Sequence, residues 1–286
     1  MIVDTHAVDQ ERAVTGIKDV SGTAFVVAEF RAHENAEANP LYLDRIVPLF
    51  LDERTRQAAN AIAIGFPAAE SAVRLRTRYL DDRLDEHLAF GCRQVVILGS
   101  GLDTRGVRKQ SPEVQYFEID DPRTLSVKKA RLAESGIDVP ITYIAGDYVA
   151  EGVLNLLEAN GFKCELPAFF IWEGNTMYLT KPAVINVLAE LAGRVREFSI
   201  SFDYMSEEVV ARTTGDQPTS SFVERFAAMG APWFFGTNNL GALAQEAGLS
   251  VSDAVTVADL HRTFWPGRPL DSIIYQHYAL CTLKPA

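Results

Sequence analysis

Two glycines, Gly99 and Gly101, follow directly on the apolar, mostly β-branched run Val95 to Leu98. Such a run reads as a strand buried on both faces. The glycines permit a tight turn at which a ligand can reach bare backbone. A second short strand, Gln115 to Ile119, closes on Asp120. Strand, glycine turn, helix, strand, acid is the opening of a nucleotide-binding βαβ unit, with the acid placed to accept from ribose hydroxyls. A dinucleotide site wants a third glycine for close packing around a pyrophosphate. Thr104, followed by Arg105, stands there instead. That departure disfavours NAD or FAD and points to a ligand with a ribose but no phosphate, of which S-adenosylmethionine is one. A glycine turn alone is equally compatible with a plain strand-to-helix turn.

Ligands of open α/β sheets sit beyond the carboxyl ends of the strands. After the first strand come Gly99, Ser100 and Gly101, with Asp103 in the turn; Asp120 ends the second, Asp147 and Tyr148 follow the third, and Glu173 follows the fourth. Asp120 is placed to accept from both ribose hydroxyls. Asp147 is placed to accept from an adenine amino group, with Tyr148 offering the adjacent backbone N–H. Each acid by itself reads as a helix N-cap or a solvated turn; all of them together read as one crevice. His33 and His261 are the histidines to weigh as a base, but each reads as structural or surface, so no catalytic residue is assigned. There is no Gly-x-Ser-x-Gly elbow and no His/Glu zinc pattern, which leaves hydrolase and metalloenzyme readings without residues.

The elements that must position these groups follow from periodicity. Residues 1 to about 18 are polar and unpatterned, an expected loosely held arm. Helical spacing covers Thr23 to Glu37, Leu41 to Ala63 with an interruption near Pro48, and Ser71 to Ala89, closed by Phe90 and Gly91. Residues 1–90 are expected to form a helical cap lying against a sheet, and 91–286 an α/β core. In that core strands at 94–98, 115–119, 141–145 and 168–172 alternate with helices at about 103–109, 122–136, 152–160 and after Thr180, whose Thr N-cap and following Pro182 open a helix. Phe198 to Tyr204 is a fifth strand, Leu240 to Gly248 a helix, and Val251 to Val257 and Ser272 to Leu283 the last two strands. The sum is a doubly wound, mostly parallel seven-stranded sheet. Between them, about 205–239 holds Phe222, Phe226, Met229, Trp233, Phe234 and Phe235. This aromatic insertion reads either as a lid over a substrate pocket or as a helix pair on the sheet edge.

The chain has 286 residues, 48% hydrophobic and 23% charged, with a formal net charge of −11. That balance is ordinary for a globular protein. The acidic sum, without any lysine/arginine-rich run, excludes a partner whose phosphates need a broad basic surface. Cys92, Cys164 and Cys281 lie far apart without metal-site spacing and read as reduced thiols in a cytoplasmic protein. No leader and no membrane-length apolar run is legible.

Several motifs carry a family resemblance. The stretch from Val95 to Arg108, VVILGSGLDTRGVR, with Tyr116 to Pro122, YFEIDDP, resembles the leucine carboxyl methyltransferase family, whose bacterial branch includes polyketide O-methyltransferases. Arg76-Thr77-Arg78 with Asp81-Asp82, Ala145 to Tyr148, and Trp172 to Thr180 are similar to it as well. So are Ser21 to Ala24 and Arg31 to Glu34, and the likeness spans about residues 20 to 195. The resemblance implies a class I, Rossmann-like fold and S-adenosyl-L-methionine as cofactor. It also implies that Arg76 holds the cofactor's carboxylate, which a planar guanidinium suits better than lysine. Arg78 is the rival, although an ion pair with Asp81 or Asp82 fits it better. The expected activity is O-methylation of a carboxylate or hydroxyl on a small molecule such as a polyketide. The alternatives are methylation of a protein C-terminal carboxylate, a non-catalytic nucleotide-binding protein on the same fold, and an NAD-dependent oxidoreductase, which Thr104 disfavours. The acceptor and the oligomeric state are not legible.

Overall fold

The computed structural model describes residues 20–286, so the arm expected over residues 1–18 lies outside it. Helix α1 (Val20–His33) is followed by α2 (Glu53–Gly65) and α3 (Pro67–Ala89). Strand β1 (Gln94–Leu98) leads through α4 (Arg105–Arg108) to β2 (Gln115–Asp120), then α5 (Pro122–Glu134) and β3 (Ile141–Ala145). Next come α6 (Val153–Ala159), β4 (Ala168–Trp172), α7 (Lys181–Arg194) and β5 (Phe198–Met205). The chain ends with α8 (Glu207–Ala211), α9 (Gln217–Ala228), α10 (Leu240–Glu246), β6 (Leu249–Thr256), α11 (Val257–Phe264), α12 (Ile274–His277) and β7 (Tyr278–Pro285).

The seven strands form one sheet in the order β3-β2-β1-β4-β5-β7-β6. Strands β1 to β5 run parallel, and β7 is antiparallel to both neighbours. The expected doubly wound, mostly parallel sheet is what forms. Because successive side chains of a strand point to opposite faces, the central strands feed two cores. Val95, Ile97, Tyr116, Phe169 and Ile171 pack with Leu75, Leu80 and Leu84 of α3. Val96, Leu98, Phe117, Phe170 and Trp172 pack with Leu154 of α6, Leu188 of α7 and Leu243 of α10. The strand order reverses between β1 and β4, and that is where an open α/β sheet leaves a crevice at its carboxyl edge.

Local signals set the helix starts. Asp121 accepts from the N–H groups of Arg123 and Thr124, and Thr180 from that of Ala183, each followed by proline in the first turn. Three expectations need correction. The stretch from Leu41 holds only a short 3₁₀ turn at Val47–Phe50 before α2, which begins after the Asp52 cap. Helix α11, with a capping box between Thr256 and Asp259, was not foreseen. The last strand begins at Tyr278, because Ile274 and Tyr275 are spent burying α12 against the α3 face of the sheet. No helix among the described residues is long and apolar enough to cross a membrane. Cys92, Cys164 and Cys281 are free thiols, two of them buried.

Candidate functional site

The crevice at the carboxyl edge opens into a cavity of about 390 Å³. Arg76, Gly99, Ser100, Gly101, Asp103, Asp120, Asp147, Tyr148 and Glu173 all line it, so one space gathers every residue that the sequence put forward for cofactor binding. The turn after β1 is built on two left-handed residues, Gly99 at φ +61° and Gly101 at φ +50°. A Cβ on Gly99 would sit 2.0 Å from Asn175 Nδ2. Only glycine meets both demands. Gly101 N–H donates to Asp120 Oδ2 at 2.6 Å and Asp121 N–H to Asp120 Oδ1 at 2.6 Å. Each carboxylate oxygen therefore keeps a lone pair for a further donor. Burial pushes the Asp120 carboxyl up to about 6, partly opposed by these two N–H groups. No cation pairs with it among the described residues.

Beneath the turn lies a connected set of buried arginines and acids. Arg105, 1% exposed, donates to Asp81 at 2.7 Å, Asp103 at 2.5 Å and Glu173 at 2.5 Å. Arg76 donates through Nε to Glu173 at 2.9 Å, and through Nη1 to Asp203 at 3.2 Å and the Tyr278 hydroxyl at 2.6 Å. Arg31 bonds Asp44, Thr104 and the carbonyl of Leu102, and Arg108 bonds Asp81. Burial opposes ionisation of Asp103 and Glu173, but Arg105 beside both, with Arg31 near Asp103 and Arg76 near Glu173, holds each below the usual carboxylate range. The set holds four guanidiniums (Arg31, Arg76, Arg105, Arg108) and five carboxylates (Asp44, Asp81, Asp103, Glu173, Asp203), an excess of one negative charge beside the cavity.

The remaining sequence candidates separate cleanly. Asp147 is exposed and also closes its own turn, accepting from the N–H groups of Val149 and Ala150. Tyr148 is buried and donates to Asn175 Oδ1 at 2.8 Å, which fixes the side chain beside Gly99. Arg78 grips Asp82 and the Leu41 carbonyl and does not line the cavity. His33 pairs with Glu70 and Glu29. His261 packs between Trp265 and Tyr275, and neither histidine lines the cavity.

Thr104 is where the glycine pattern departs, and the structure gives the reason. Its hydroxyl ties Asp44, Arg31 and Arg108 together, at 2.6, 2.7 and 2.8 Å. The close helix-to-strand approach falls instead to Gly106, where a Cβ would meet Glu118 Oε1 and Ile141 Cδ1 at 2.8 Å. Sequence reading gave no role to Arg31, Arg105, Asn175, Asp203 or Tyr278. An acid inside the apolar strand Phe198–Met205 was the signal available for Asp203.

A second, apolar chamber of about 90 Å³ adjoins the first, and Thr23, Val27, Arg76 and Gly174 line both. The aromatic insertion supplies much of its wall through Phe222, Phe226, Met229 and Trp233. Phe222 stacks on Phe66 with ring centroids 4.3 Å apart, so α9 closes the chamber against the N-terminal helices. Phe235 turns instead into the opposite core, and Phe234 is exposed.

The family model for leucine carboxyl methyltransferases matches residues 24–192. The chain belongs to that family. It is an S-adenosyl-L-methionine-dependent methyltransferase. An assigned S-adenosyl-L-methionine-dependent methyltransferase of Streptomyces coelicolor is 31% identical over 230 residues, 74% of each chain. In fold, the methyltransferase is similar to an assigned methyltransferase of Thermobifida fusca. There the TM-score is 0.63 at 18% identity, covering 96% of this chain and 98% of that one. It also resembles the magnesium protoporphyrin IX methyltransferase of Synechocystis solved with bound S-adenosylhomocysteine. That match has a TM-score of 0.50 at 8% identity, covering 84% and 92%.

Proposed function

We propose that the methyltransferase binds S-adenosylmethionine in the polar cavity and methylates an oxygen of a small apolar molecule held in the adjoining chamber. The observation that carries this reading is the junction of the two spaces at Arg76 and Gly174. The bound cofactor supplies an electrophilic methyl group on a sulfonium. Gly99, Ser100 and Gly101 bring backbone against it, Asp120 accepts from the ribose hydroxyls, and Asp147 with the Tyr148 backbone takes the adenine edge. Arg76 receives the carboxylate. The excess negative charge beside the cavity suits a ligand that carries a sulfonium and an ammonium against one carboxylate. What the protein contributes to rate is chiefly alignment in a dry site. An apolar chamber favours a small molecule, the class that includes polyketides, over a protein C-terminus, which needs a polar groove.

Calorimetric titration with S-adenosylmethionine, S-adenosylhomocysteine and NAD tests the reading. The two adenosyl-sulfur ligands are expected to bind and NAD to give no heat; binding of NAD would overturn it. The same titration has a pH dependence. Ribose hydroxyls donate only to lone pairs that the ionised Asp120 offers freely, so the cofactor binds the ionised form and lowers its pKa. Affinity is therefore full above about pH 6 and falls below it. The dissociation constant of S-adenosylhomocysteine should rise about tenfold between neutral pH and pH of about 5. A flat profile would remove Asp120 from the ribose.

A further inference from the structure

The chamber's polar end is concentrated in one place. Asp203 on β5 pairs with Leu280 on β7, which puts Tyr278, two residues earlier, on the same face of the sheet. The Tyr278 hydroxyl donates to Asp203 Oδ2 at 2.5 Å and accepts from Arg76 Nη1 at 2.6 Å. Both side chains are buried, and Asp203 is further held by Gly174 N–H at 2.6 Å. Tyr278 and Arg76 line the apolar chamber, and Arg76 also lines the polar cavity, so this hydroxyl lies at the junction of the two.

We propose that Tyr278 and Asp203 are a proton relay for the acceptor, and that the acceptor is a phenol or enol on an apolar body. The proposal rests on the methyl-transfer reading above. A phenolic oxygen has two lone pairs, and the Tyr278 oxygen spends one on Arg76. The other faces an acceptor hydroxyl entering from the chamber. As the acceptor oxygen bonds to the methyl carbon, sulfur keeps the pair of the breaking C–S bond. The acceptor proton passes to the Tyr278 oxygen while the Tyr278 proton passes to Asp203 Oδ2. When the methyl ether leaves, Tyr278 gives its proton to water entering the chamber and takes back the one on Asp203.

Burial raises Tyr278 well above the ordinary tyrosine range, with Asp203 adding and Arg76 opposing, so Tyr278 hands a proton on rather than resting as phenolate. The charged group facing the pair is Arg76 from α3, which Glu173 from the end of β4 holds on its other side. Among the described residues no histidine lines either space. A carboxylate at the end of the relay is a weak base, which suits a hydroxyl of pKa near 10 and not an alcohol. A carboxylate acceptor would need no relay and would meet the Tyr278 hydroxyl with the Asp203 carboxylate, a like charge, directly behind it. At about 90 Å³ the chamber is smaller than the ~150 Å³ known to admit benzene. A single ring therefore fits only if Met229 or Phe222 gives way, which the flexible Met229 side chain allows.

The test uses the whole protein with para-ethylphenol, the far more acidic para-nitrophenol, and hydrocinnamate as a carboxylate of similar size. S-Adenosylhomocysteine release is followed from about pH 6 to about pH 10 in wild type, Tyr278→Phe and Asp203→Asn. Titrations in parallel give the affinity for S-adenosylhomocysteine and for each probe on the loaded protein. Near neutral pH both variants should lose about a hundredfold or more in turnover of para-ethylphenol. The loss should shrink as pH nears the pKa of the phenol, and for para-nitrophenol, while both affinities stay within about threefold. Equal losses at every pH and for both phenols would mean a structural role and overturn the relay. So would no loss, or a loaded wild-type protein that ignores phenols, or binds without methylating them, or methylates hydrocinnamate alone. Failure to bind S-adenosylhomocysteine would instead strike the cofactor reading beneath it.

Discussion

Replacing Arg105 by leucine is expected to lower the unfolding free energy by about 3–5 kcal/mol near neutral pH, the usual cost of removing one partner from a buried ion pair. Leucine fills much of the volume, so packing is a minor part of the loss. Arg105 answers three carboxylates, Asp81, Asp103 and Glu173, and also reaches the Thr77 carbonyl. Without it, three buried acids share fewer cations. The loss has a pH signature. Against the opposing effect of burial, Arg105 helps hold all three carboxyls below their ordinary range. The stability this provides is full above the unfolded-state pKa of about 4, begins to be lost there, and disappears as pH falls on through the lower folded-state values. The difference between wild type and variant should therefore shrink in acid. Urea unfolding at neutral pH and at about pH 3, below the unfolded-state pKa, reads both effects. A neutral-pH difference under about 1 kcal/mol would mean that water or side-chain rearrangement satisfies the acids, and that Arg105 does not hold the floor of the cavity.

Asp120→Ala should separate binding from stability in the opposite sense. Hydrogen bonds to a charged group contribute about 1.5–3 kcal/mol each. With Asp120 on the ribose as proposed, losing two such contacts should weaken S-adenosylhomocysteine binding by about a hundredfold or more. The fold should not suffer in proportion, because burial makes the ionised carboxylate unfavourable above about pH 6 in the unliganded protein. Its removal leaves the N–H groups of Gly101 and Asp121 without their acceptor, at the mouth of an open cavity where water can replace it. A melting temperature close to wild type with much weakened ligand binding is the expected pair of results. A variant that melts far lower would make Asp120 a structural cap of the glycine turn, and unchanged affinity would take the ribose away from it.

How much was legible depended on whether the deciding contact was local. Strands 94–98 and 168–172 form where their apolar runs lie, because a run buried on both faces belongs in the middle of a parallel sheet. Gly99, Gly101, Asp120, Asp147 and Glu173 were readable because the topology brings every parallel strand's carboxyl end to one edge. Their convergence on one cavity then follows from strand order alone. Ser272 to Tyr275 looked like strand from its β-branched and aromatic residues, but burial of Ile274 and Tyr275 beside α3 outweighed that propensity.

Arg105 shows the other limit. From the sequence it was the residue after a missing glycine; its partners Asp81 and Glu173 lie 24 and 68 residues away. Tyr278 and Asp203 are 75 residues apart and meet only because β7 inserts antiparallel beside β5. The sequence by itself thus determined the sheet, its glycine turn and the acids at its edge, since each depends on patterns a few residues long. Tertiary structure alone decided which arginine meets which acid, and that the aromatic insertion walls a chamber beside the polar cavity. Ion pairs and cavity walls depend on distances between segments, and spacing along the chain does not encode those distances.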